Sequence, residues 1–135
     1  MNKIVRPHRS VLYMPGSNTR ALEKGRSLAA DALILDLEDA VAPNLKAEAR
    51  SNVCAAISEG GYGMRELLVR VNGLQTEWGL ADMIAAASSG AHGIVIPKVE
   101  SADAIRMAES VLEEHGAPDD MGIWCMIETP FGVLN

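Results

Sequence analysis

Short aliphatic runs alternate with longer stretches rich in Ala, Leu, Glu and Lys from one end of the chain to the other. SVLYMP (10–15), ALILDLE (32–38), ELLVRVN (66–72), GIVIPKV (93–99) and IWCMIET (123–129) each read as a buried strand, apolar and bounded by polar or turn residues. TRALEKGRSLAA follows the first run, with Ser17 or Asn18 placed to cap a helix. PNLKAEARSNVCAAISEGG follows the second, with Pro43 at its start and Gly60 and Gly61 at its end, the usual asymmetry of a helix. TEWGLADMIAAASSG and SADAIRMAESVLEEHG follow the third and fourth, each closing on Gly. This strand–helix rhythm predicts an α/β fold with a parallel sheet.

Two architectures share the rhythm, the open doubly wound sheet and the (β/α)8 barrel. In both, function gathers at the carboxyl ends of the strands. Those ends read MPGSN, DLEDA, RVNG, PKVES and ETP, and they hold Glu38, Asp39, Arg70, Asn72, Lys98, Glu100 and Glu128. The opposite ends are bland, so the asymmetry marks an active-site face. Five strands would complete a flavodoxin-like sheet but only part of a barrel, which takes about 250 residues. FGVLN is expected to trail off after the fifth strand without a covering helix.

Composition narrows the classes. Of 135 residues, 48% are hydrophobic and 22% charged, the profile of a soluble globular domain. A net charge of −6 without a Lys/Arg stripe speaks against nucleic acid. No run approaches the ~18 apolar residues of a membrane helix, and the basic start MNKIVRPHRS lacks the apolar core of a secretory signal. Cys54 and Cys125 have no metal spacing and read as free thiols of a cytoplasmic protein.

The candidate chemistry lies in the strand ends. In LILDLEDAVAP, Asp36, Glu38 and Asp39 crowd together after an aliphatic run, which calls for solvent or for a positive partner. Alternation sends Asp36 and Glu38 to one side and Leu35 and Leu37 to the other. Arg70, inside an aliphatic strand, either meets a carboxylate or oxyanion in a cavity or makes an internal ion pair with Asp36, Glu38 or Glu128. Glu128 suits a hard cation such as Mg2+, or a salt bridge. Lys98 adds a cation to that face, or else snorkels at the surface. Lys46, Glu48 and Arg50 have the spacing of surface pairs. His8, His92 and His115 read as exposed, and Trp124, Cys125 and Met126 as core.

RSVLYMPGSNTRALEKG, LILDLEDAVAPNLKAEAR, VRVNG, VIPKVES and MIETPFG, in that order along the chain, resemble the successive motifs of the citrate lyase β-subunit-like family. That family belongs to the aldolase/citrate lyase superfamily, with malyl-CoA and citramalyl-CoA lyases. The resemblance implies a TIM (β/α)8 barrel, of which residues 1–135 are the N-terminal portion with about the first five strands. It implies an Mg2+-dependent carbon–carbon lyase acting on a β-hydroxyacyl thioester, on CoA or a carrier protein, in a self-associating protein. Glu128 is then the metal ligand, Arg70 the group that binds substrate and stabilises the enolate, and Glu38 and Asp39 the residues around metal-bound water and substrate. Lys98 shares the cavity. Arg9 and Arg20, near the first strand–helix loop, are assigned to carrier phosphates. The family's second metal-binding Asp falls about one strand–helix unit beyond Glu128, outside this sequence. The competing expectation is therefore a truncated, non-catalytic remnant or interaction module of the same fold. A receiver-like signalling domain is disfavoured because MPGSN carries no acid.

Overall fold

The computed structural model describes residues 5–135, so the first four residues of the basic start lie outside it. The strands are β1 (Val11–Pro15), β2 (Ala32–Asp36), β3 (Glu66–Arg70), β4 (Gly93–Ile96) and β5 (Gly122–Cys125). All are parallel and lie side by side in chain order, β1-β2-β3-β4-β5. Helices α1 (Thr19–Gly25), α2 (Lys46–Glu59), α3 (Gly79–Ser89) and α4 (Ala102–Glu114) form the connections, and a short 3-10 turn at Pro43–Leu45 leads into α2. Sequential order with right-handed crossovers puts every helix on one face. The flavodoxin order 2-1-3-4-5, which needs helices on both faces, does not apply.

Alternation divides the strands between two environments. Leu33, Leu35 and Leu37, Leu67, Val69 and Val71, and Ile94 and Ile96 turn to the helices and make the main core with Leu22, Val53, Met83 and Leu112. Ile34, Leu68 and Val95 form a smaller cluster on the other face with Val11, Trp124 and Met126, and among the described residues no helix packs into it. There the two edge strands approach each other. The Tyr13 hydroxyl lies 3.7 Å from Met126 Sδ, and the His8 ring meets Trp124 edge-on at 4.9 Å. Contact between the first and last strands over that face means that the sheet curls with its helix-free side concave.

Local signals account for most element ends. Asn18 caps α1 by accepting from the Ala21 amide, Ser101 does the same for α4, and Gly90 ends α3 in the left-handed region at φ 89°. Gly16 lies so close to β2 that a Cβ there would sit 2.8 Å from the Asp36 carbonyl oxygen. Four expectations change. FGVLN does not trail off: Pro130–Leu134 form α5, capped by Thr129 with Pro130 at its first position. Cys125 is exposed and Trp124 and Met126 are half-buried, because β5 pairs only with β4 among the described residues. His92 is half-buried, and its Nδ1 accepts the Leu67 amide at 2.9 Å. Lys46 and Arg50 are not surface pairs, as the site makes plain. Both cysteines are free. No helix among the described residues is long and apolar enough to cross a membrane.

Candidate active site

Register places Asp36 directly beside Arg70 at the carboxyl edge of the sheet, and Arg70 beside Val95. Arg70 donates from Nε and Nη2 to the two oxygens of Asp36, both at 2.7 Å, with Asp36 wholly buried. The Asp36 oxygens also accept the Glu38 amide at 2.9 Å and the Ala40 amide at 3.0 Å, so one carboxylate fixes the guanidinium and the loop after β2 together. The bidentate pair raises the Arg70 pKa further above its ordinary value. Tyr13 lies under the guanidinium, 4.8 Å from ring centre to Cζ. Nη1 is the nitrogen left over. It faces Met126 Sδ at 3.6 Å and Glu38 Oε1 at 3.5 Å.

Glu38 reaches the same space from the other side. Its Oε2 is 3.2 Å from Lys98 Nζ, whereas the buried Oε1 has no hydrogen-bond partner. Burial pushes the Glu38 carboxyl up, and Asp39 adds to this, against the pull of Lys98 and Arg70. Asp39 is exposed and is held below its ordinary value, chiefly by the neighbouring Glu38 carboxyl, which carries the proton in preference to it, while Lys98 Nζ lies 3.9 Å away. The bond to Glu38 raises Lys98. The Lys98 amide donates to Oε1 of the exposed Glu128 at 2.9 Å. Lys98 therefore neither points freely into the site nor snorkels away from it; it bridges two carboxylates.

Beneath these groups is a scaffold of buried charge. Asp82, wholly buried in the first turn of α3, accepts Arg50 Nε at 2.8 Å on one oxygen. Its other oxygen accepts the Asn72 amide at 2.9 Å and Nδ2 at 2.6 Å. Asn72 Nδ2 also donates to the Leu37 carbonyl, and buried Lys46 donates to the carbonyls of Leu37 and Glu38 at 3.0 and 2.9 Å. Lys46 packs over Trp78, and Gly79 fits against the Gly73 carbonyl, where a Cβ would come within 2.1 Å. A cavity of about 370 Å³ opens above, bounded by Glu38, Asp39, Lys46, Asn72, Trp78 and Lys98.

Arg70, Glu38, Asp39, Lys98 and Glu128 thus come together at one end of the sheet. Arg20 is exposed in the first turn of α1, on the rim of that end. Arg9 does not join them. It precedes β1, at the amino end of the sheet, and is bound there to Asp31 by Nε at 3.0 Å and Nη2 at 2.9 Å. The structure therefore does not bring Arg9 together with the other candidate residues. Sequence reasoning missed the supporting roles of Lys46, Asn72 and Asp82. A lone acid in the apolar stretch GLADMIAAA was the available signal for Asp82. Among the described residues no three His, Cys, Asp or Glu groups converge on one metal position. The donors are still those of a hard cation: the exposed Glu128 has an oxygen beyond its bond to Lys98, and Glu38 Oε1 is unpartnered. Mg2+ takes one or two protein carboxylates and completes its shell with water and substrate oxygens.

A curled parallel sheet that collects an anchored guanidinium, an ammonium and several carboxylates at the carboxyl ends of its strands has the layout of an α/β enzyme's ligand-binding face. Comparison with known proteins specifies which. The family described as HpcH/HpaI aldolase/citrate lyase matches residues 9–135, and the chain belongs to that family. It is 48% identical over 129 residues to a (3S)-malyl-CoA thioesterase of Cereibacter sphaeroides, covering 96% of this chain and 43% of the relative. It is 36% identical over 135 residues to the citrate lyase subunit beta of Escherichia coli, covering 96% and 45%. The crystal structure of CitE from Mycobacterium tuberculosis in complex with magnesium and acetate superposes with a TM-score of 0.72 at 27% identity, over 92% of this chain and 46% of that one. The chain therefore spans less than half the length of the relatives it matches.

Proposed function

We propose that this chain forms the first five units of a (β/α)8 barrel that binds a β-hydroxyacyl thioester and breaks the bond between its α and β carbons. The observation that carries this reading is Arg70. Its Nε and Nη2 are committed to buried Asp36, and its Nη1 is left beside the carboxylates at the strand ends. In such a cleavage the β-hydroxyl gives its proton to water and becomes the carbonyl of the released acid. The Cα–Cβ bonding pair moves onto the thioester carbonyl as an enolate, and the enolate carbon then takes a proton from water to give the shorter acyl thioester. A fixed guanidinium N–H aimed at the developing oxyanion requires no reorganisation during the step. Glu38 and Asp39 border the cavity and orient water and substrate there, with Lys98 between them. Arg20, on the rim, is placed to meet the phosphates of the carrier. Glu128 would hold Mg2+, and the chemistry supplied by the ion when bound is Lewis-acid polarisation of a substrate oxygen. Magnesium in the related CitE structure supports this assignment.

Hydrolysis of the thioester is the second reading, favoured by the higher identity to the malyl-CoA thioesterase, 48% against 36% for the citrate lyase subunit. One experiment separates them. The intact protein is incubated with malyl-, citramalyl- and citryl-CoA, with Mg2+ or with EDTA, and the products are resolved by mass spectrometry. Carbon–carbon cleavage releases a shorter acyl-CoA that EDTA abolishes, and Arg70→Lys lowers kcat by about 10²–10³-fold. Free CoA with an intact hydroxy acid would establish hydrolysis. No turnover of any ester would sink both.

A further inference from the structure

Lys98 has φ 50°, the one positive value at a non-glycine residue among the described residues. Lysine, unlike Asn or Asp, gains no local hydrogen bond in the left-handed region, so its surroundings must impose the conformation. What the conformation achieves can be traced. The Lys98 amide meets Glu128 Oε1 at 2.9 Å, and the next amide, Val99, meets the Met126 carbonyl at 3.0 Å. Two consecutive N–H groups are thereby turned onto the segment after β5. The Lys98 side chain runs the opposite way, to Glu38 Oε2 at 3.2 Å beyond β2. The neighbouring chain is held too tightly to give way, since a Cβ on Gly132 would lie 2.5 Å from the Val99 carbonyl oxygen, and Asn135 bonds the Glu100 carbonyl.

We infer that Lys98 is a positioning residue. Its left-handed backbone aims the Glu128 carboxylate and so sets the affinity for a divalent cation, while its ammonium fixes Glu38 for the reaction rather than for the ion. This rests on the proposed role of Glu128 as a metal ligand.

The backbone and the ammonium separate by mutation. Lys98→Gly keeps the left-handed backbone and loses the charge; Lys98→Val loses the charge and also opposes positive φ. Mn2+ binding to the intact protein, followed by electron paramagnetic resonance and calorimetry, is the readout, with circular dichroism giving the folded fraction. Lys98→Val is expected to weaken Mn2+ about 10- to 100-fold, as loss of a ligand's supporting partner does. Lys98→Gly is expected to bind Mn2+ within about threefold of wild type, because Glu128 is still aimed by the backbone, while kcat falls with the lost hold on Glu38. A merely structural role would lower the number of competent sites and leave their Kd unchanged. Wild-type Kd in folded Lys98→Val, or equal weakening in both variants, overturns the inference. Absence of Mn2+ binding in the wild type refutes it together with the metal role of Glu128, which distinguishes that failure from the first.

Discussion

Replacing Asp36 by Asn preserves shape and removes one charge from the most buried ion pair of the site. Asp36 is 0% exposed and Arg70 8%, and the carboxylate accepts four hydrogen bonds, two from the guanidinium and two from the Glu38 and Ala40 amides. Asn offers one oxygen and turns an NH2 toward the remaining donors. Arg70 keeps its charge, with only the Tyr13 ring and the 3.5 Å contact to Glu38 to compensate it. Breaking a buried pair from one side costs about 3–5 kcal/mol, roughly a third to a half of an ordinary stability of about 10 kcal/mol. Arg70→Met should cost less, about 1.5–3 kcal/mol, because the two amides continue to hold the Asp36 charge. With both changes the loss should fall short of the sum by at least about 1 kcal/mol, the mark of coupled neighbours. Urea unfolding of the intact protein, followed by tryptophan fluorescence, measures all three. A cost below about 1 kcal/mol for Asp36→Asn, or additive single effects, would refute the view that this pair anchors the site.

Two further outcomes follow from the geometry. Arg9 holds the Asp31 carboxyl at about 2, against an ordinary 3.8, so the pair stabilises the fold fully above pH 3.8 and loses that contribution as pH falls toward 2. Asp31→Asn should flatten the acid limb of the Tm–pH profile in that window, and an unchanged limb would mean that the pair does not bear on folding. Gly79→Ala would set a methyl 2.1 Å from the Gly73 carbonyl oxygen, which backbone must yield to accommodate. A loss of about 1–3 kcal/mol or more, with a raised KM from the displaced cavity wall, is expected; wild-type Tm and KM would show that the loop adapts freely.

The face carrying the site was legible because strand alternation is strict. Once Leu33, Leu35 and Leu37 face the helices, Asp36 and Glu38 must share the other side with Arg70. The strand direction likewise fixes which charges lie at carboxyl ends, and applied to Arg9 it places that residue at the opposite end of β1. Lys46 and Arg50 were misread for a different reason. Their spacing along α2 is that of surface pairs, but the helix begins directly over the end of β2, so Lys46 turns onto carbonyls of its own strand–helix loop and Arg50 crosses to α3. Such contacts depend on where helices land, which periodicity does not encode. Trp124 and Met126 have a core composition, but burial also depends on neighbours, and β5 is an edge strand among the described residues. The left-handed backbone of Lys98 gave no signal in the sequence, since lysine has no preference for positive φ.

The carboxylates of LILDLEDAVAP can now be separated by task. Asp36 is neutralised by Arg70 and spends its remaining acceptors on loop amides; Asp82 plays the same part for Arg50 and Asn72. These buried acids are matched, and being matched they make the strand ends rigid. Glu38 is only partly compensated, with one oxygen on Lys98 and the other unpartnered, while Asp39 and Glu128 stay exposed. Negative charge is thus satisfied beneath the strand ends and left partly unsatisfied at their surface. A hydrophobic substitute for the lower pairs could preserve the fold, but it would delete Arg70 Nη1 and release the Glu38 loop from its fixed position. On the proposed reading, the buried charge serves placement, and the exposed charge is what a divalent cation would meet.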